Sequence, residues 1–237
     1  MDDQTDGKPA TAISKLQQGY ADIVSLRASV QAIPYIGGSL DTLLVGRATQ
    51  IHIERVEKFA SDLAHRLAAV ESTAANLNDE AFADLMLSTF EAVARTRSDQ
   101  KRSRFAEIIT NQLVKPMPWE EPENAVRLLS DLEDIHIEII KVALGAPAAE
   151  GAFSGLRVIS LDAEPIDSAK QNAPVSLLAS FPRYGAAALR MACAELTAKG
   201  ILHDEGIGRY DMGAMKYFVP TDLAEWLSGW ISQAHRK

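Results

Sequence analysis

The chain has 237 residues, of which 47% are hydrophobic and 24% charged, with a formal net charge of -8. A chain of that length can bury a substantial core, and both fractions lie near globular averages, so neither wholesale disorder nor a membrane-embedded chain is expected. The acidic balance counts against a general nucleic-acid binder, because affinity for phosphates rests on clustered Lys and Arg. Residues 1–117 carry 13 Lys+Arg against 15 Asp+Glu and residues 118–237 carry 11 against 17, so neither half has a basic footprint.

The opening "MDDQTDGKPATA" is polar and acidic where a secretory signal would be basic and then apolar. A cytoplasmic protein with a flexible tail over 1–12 is expected. Charge interrupts the apolar runs within about ten residues, short of the ~20 that a spanning helix needs. A single cysteine, Cys193, allows no internal disulfide and falls at a core-like helical position.

In chain order, Ile13, Leu16, Tyr20, Ile23 and Val30 predict an amphipathic helix from about Thr11 to Ala32. Pro34 and the pair Gly37-Gly38 end it and form a turn that could act as a hinge. Ser39 then caps a long helix whose stripe (Leu40, Leu44, Ala48, Ile51, Phe59, Leu63, Leu67 and Val70) runs to about Ser72. A third helix begins at Asn78 or Asp79 and buries Phe82, Leu85, Met86, Phe90 and Val93. A fourth begins at Ser98 and buries Phe105, Ile108, Ile109 and Leu113, and "KPMPW" stops it. The expectation is a helical bundle over 13–115.

The cluster "RTRSDQKRSR" (Arg95, Arg97, Lys101, Arg102, Arg104) spans the junction of those two helices and could meet an anionic surface. A solvated helix terminus is the simpler expectation.

Beyond it, Pro122 at a first helical position opens one helix through "ENAVRLLSDLEDIHIEIIKVAL", and "GAPAAEGAFSG" follows as a polar connection. The acidic run Asp131, Glu133, Asp134 and Glu138 reads as a solvent face, with His136 pointing away from Asp134 and Glu138. "LRVIS" reads as a short strand and "VSLLASF" as a short helix. Next comes a helix with Leu189, Cys193 and Leu196 on one face, ending at Gly200; "ILHDE" and "KYFVPT" then flank a Gly-containing loop before a final helix after Thr221 or Asp222.

Helix, hairpin, helix with "ELTAKGIL" leading into the hairpin resembles the C-terminal part of a winged-helix domain. The resemblance covers roughly 125–235, within a domain over 119–237 carrying a loop insertion around 146–173. It implies Ile135 to Leu144 as first helix, Val175 to Phe181 as second, and Tyr184 to Lys199 in the recognition position. It also implies that nucleic-acid contacts, if any, would come from Arg183, Arg190 and Lys199 on that helix and from Arg209 and Lys216 in the wing. Against them stand Glu195, Asp204, Glu205 and Asp211, and a helix face rich in alanine (Ala186, Ala187, Ala188, Ala192, Ala194, Ala198) with little to hydrogen-bond a base edge. The first half resembles the helical domain of poorly characterised bacterial proteins that share an I-P-x-x-G-G turn before an R-x-x-x-F-x-x-x-L helix, here Arg55, Phe59 and Leu63.

Catalysis has little support. None of the five histidines has a partner at metal-binding helical spacing, there is no Cys pair and no phosphate loop, and "GAFSG" is not a nucleophile elbow. The sequence therefore predicts a mainly α protein, an N-terminal helical bundle plus a C-terminal winged-helix-like domain with a short β-hairpin. The expected function is that of a non-enzymatic regulatory or adaptor protein with no cofactor, binding a protein partner or itself. The alternatives are a DNA-binding transcriptional regulator, disfavoured by the charge, and a membrane-active defence or cell-death effector working through residues 13–46.

Overall fold

A computed structural model describes residues 47–68, 79–162, 172–207 and 213–232. The first expected helix, the turn at Pro34, Gly37 and Gly38, the stretch 13–46 and Arg209 lie outside them. The structure is mostly helical with one small four-stranded sheet. No described helix is long and apolar enough to cross a membrane.

The described residues divide into two compact units, one of those up to 131 with 230–232 and one of those within 132–229. The expected boundary at 115–119 thus moves C-terminal by one helix.

In the first unit, α1 (Arg47–Ala68), α2 (Asp79–Arg95), α3 (Asp99–Val114) and α4 (Glu120–Asp131) pack on one another. Val56, Phe59, Leu63 and Leu67, spaced by three and four, form the buried stripe of α1. Ile51 belongs to the same sequence stripe but is 52% exposed, so the buried stripe begins after it. Phe59 meets Phe90 edge to face at 5.6 Å, a favoured aromatic geometry. Ser98 caps α3 by accepting the Lys101 N–H at 3.1 Å. Pro122 is the third residue of α4 rather than the first, which costs nothing because the first four N–H groups of a helix have no partner in it. Asn111 Nδ2 donates to the carbonyls of Trp230 (2.7 Å) and Ser232 (3.0 Å).

The second unit begins with α5 (Asp134–Gly145), so the single helix expected from Pro122 to Leu144 is broken at Leu132-Glu133. The backbone of Glu133 is extended, and its N–H donates to His136 Nδ1 at 2.8 Å, restarting the helix. The connection expected to be polar also folds inward. Ala149 and the Gly151–Phe153 turn pack Phe153 on Tyr217 with ring centroids 4.8 Å apart. β1 (Ile159–Ser160), β2 (Val175–Ser176), β3 (Leu202–Asp204) and β4 (Tyr217–Pro220) make a sheet of order β2-β1-β4-β3. β4 is antiparallel to both neighbours, and β1 runs parallel to β2. Short α6 (Leu177–Ser180) leads to α7 (Ala186–Ala198), and α8 (Asp222–Ile231) follows β4.

Candidate functional site

Helix α7 buries one face for a simple reason. Leu189, Cys193 and Leu196, at steps of four and three, are fully buried, and Ala192 is 3% exposed. Burial of each large side chain contributes about 1.5–3 kcal/mol, which fixes the rotation of the helix. Its end is fixed as well. Gly200 has φ 73°, a left-handed conformation that glycine adopts without strain; its N–H donates to the Thr197 carbonyl at 2.9 Å and the Ile201 N–H to Leu196 at 2.9 Å, closing the last turn.

What faces outward is apolar and small. Ala186, Ala187, Ala188, Ala194 and Ala198 are exposed, and Met191 among them is 65% exposed. Ala192, expected on that face, lies on the buried side. Met191 was not singled out in the sequence, although its offset of two from Leu189 and from Cys193 places it opposite the buried stripe.

Two side-chain contacts bring this helix and the residue stretch before it against α5. Arg183, just before α7, forms an ion pair with Glu138 and lies over the Tyr184 ring at 4.9 Å. Hydrogen bonding to Glu138 raises its pKa above the usual guanidinium value. His136, expected to point away from Asp134 and Glu138, is 4% exposed. Its Nδ1 accepts from Glu133, so in the neutral ring the proton sits on Nε2, 2.8 Å from Glu195 Oε2. That oxygen makes no directed hydrogen bond with the ring, so the contact is one of proximity.

The base of the β3-β4 hairpin is set by Asp204, 1% exposed, whose carboxylate accepts the N–H of Gly206 (2.9 Å) and of Met215 (2.6 Å). A side chain at Gly206 would run into the Gly213 carbonyl, so the loop passes close to itself there. Tyr217 Oη donates to Asp162 Oδ2 at 3.3 Å, with Lys216 Nζ 3.7 Å from the same oxygen.

Of the cations that the resemblance implies for nucleic acid, Arg190 is exposed on α7, Lys199 is half-buried at its C-cap and Lys216 is exposed beside Asp162, while Arg183 is engaged with Glu138. The basic cluster of the first unit is only partly a surface. Arg95 and Arg97 are exposed, but Lys101, Arg102 and Arg104 are buried. Lys101 Nζ donates to the Ser130 carbonyl at 2.7 Å, Arg102 holds the carbonyls of Thr96 and Arg97 and the Asp99 carboxylate, and Arg104 reaches Gln100. The expected solvated terminus is therefore wrong for these three. Twelve of the 16 residues of α3 are buried, so these cations are met by protein acceptors, Arg102 at the α2–α3 junction, Lys101 in α4 and Arg104 within α3.

Among the described residues no group of three or more His, Cys, Asp or Glu side chains could hold a metal ion. Compared with protein-family models, curated proteins and solved structures, the chain matches none.

Proposed function

We propose that the protein is a non-enzymatic regulatory or adaptor protein whose second unit is a winged-helix-like module used for protein contact. The observation that carries the reading is the outward face of α7, alanine with Met191 65% exposed. An exposed methionine amid small side chains is a soft, adaptable surface for another protein and a poor reader of base edges. The order of α5, short α6, α7 and an antiparallel hairpin supports the winged-helix resemblance.

DNA binding is the second reading, and exposed Arg190 on α7 with Lys216 in the wing favours it. Fluorescence anisotropy of mixed duplex DNA at low salt tests the choice. The protein-contact reading expects no salt-sensitive binding. Binding that falls as salt rises and is lost in Arg190→Glu would replace it with the DNA reading.

A further inference from the structure

Along the outward side of α7, Ala187, Met191, Ala194 and Ala198 recur at steps of four, three and four. That alternation is how a helix presents a seam to a second helix. All four are exposed. Three methyl side chains let two backbones approach closely, and the unbranched Met191 at the centre adapts to fill the space between them.

In heptad lettering Ala187 and Ala194 are d positions and Met191 and Ala198 are a positions, which puts Arg190 at g and Glu195 at e. Across two parallel helices, g faces the e that lies five residues further along the partner. Arg190 and Glu195 stand five apart, carry opposite charges and are both within reach of solvent, the Glu195 side chain being 41% exposed. An antiparallel pair would instead set Arg190 against Arg190 and Glu195 against Glu195.

We infer that α7 pairs in parallel with α7 of a second copy of this chain, the four seam residues interdigitating and Arg190 of each copy meeting Glu195 of the other. This rests on the reading of α7 as a protein-contact face and names its occupant. A helix of 13 residues spans only about 20 Å, so the area buried falls below the ~1,200 Å² of a standard interface. The pair is accordingly weak and concentration-dependent.

Sedimentation equilibrium of the full chain at low salt tests it. The wild-type mass should rise with concentration towards two chains, and Met191→Glu should hold it at one. Arg190→Glu and Glu195→Arg should each weaken association roughly tenfold, because two attractive pairs become repulsive. An equimolar mixture of those two variants, or both substitutions in one chain, should restore it. Met191 and Arg190 are exposed, so their variants keep the test sound if Glu195→Arg disturbs the fold through its contact with His136, which circular dichroism would show. A wild type that stays at one chain throughout overturns self-pairing while leaving the face free for a different protein. A two-chain mass that none of the substitutions changes overturns both the pairing and α7 as the contact face. A restored mass in neither the mixture nor the double variant overturns the parallel register.

Discussion

Replacing Arg66 by alanine would leave the Glu107 carboxylate, 9% exposed, without its guanidinium. Burial alone would push the Arg66 pKa down, but hydrogen bonds and charge from Glu107 and Asp62 outweigh it and hold it above the usual value. The Nη2 also donates to Ser103 Oγ at 2.9 Å. An unpaired buried charge costs several kcal/mol, so Arg66→Ala should lower stability in urea by about 3 kcal/mol, and Arg66→Met with Glu107→Leu should recover most of that loss. Cys193 makes a second case at this scale. Burial pushes its thiol from 9.0 up to about 12. The unfolded thiol then ionises first as pH rises, so the stability it contributes is complete below pH 9 and lost between 9 and about 12. The wild type should lose stability over that window more steeply than Cys193→Ala in parallel denaturant melts, and native Cys193 should resist thiol reagents until the protein unfolds. Arg66 and Glu107 lie 41 residues apart, so no helical spacing in the sequence joins them, whereas the burial of Cys193 follows from its place between Leu189 and Leu196.

At the scale of the element, the clearest lesson is the break at Leu132-Glu133. Ala125, Val126, Leu129, Leu132, His136, Ile137 and Ile140 are all buried and keep helical spacing straight across it, with no Pro or Gly to interrupt them. An apolar stripe records burial but not which core receives it, so one helix was expected where there are two. The signal for the break is a side-chain acceptor three residues after an extended residue, His136 for the Glu133 N–H. His136→Ala should therefore lower stability by about 2 kcal/mol through a lost cap and a cavity, read as an earlier urea transition. The helices α2, α3 and α7 and the β3-β4 hairpin were legible because each combines an apolar period with a local stop signal. The inward fold of Phe153 was not, since small and polar neighbours masked one aromatic anchor. Asp204 counted in the sequence as a charge opposing nucleic acid; in the structure it ties the β3-β4 hairpin by accepting two backbone N–H groups. Asp204→Ala would leave those donors unpaired, with an expected loss of about 2 kcal/mol and faster hydrogen exchange at Met215.

For the whole molecule, an acidic chain of net charge -8 bears its clustered cations largely as internal props, Arg102 holding the junction between α2 and α3, Lys101 reaching α4 and Arg104 bonding within α3. Composition registered the charge, but only packing could show that three of five clustered cations turn inward. On the proposed reading, the outward side of α7 is the contact surface and its partner is a protein. Size-exclusion chromatography with light scattering, on the wild type and Met191→Glu, with and without duplex DNA at low salt, tests that claim most directly. The account predicts a wild-type mass that rises with concentration, a Met191→Glu mass that does not, and no shift of either with DNA. A shift with DNA that vanishes as salt rises, together with masses that Met191→Glu leaves unchanged, would contradict it.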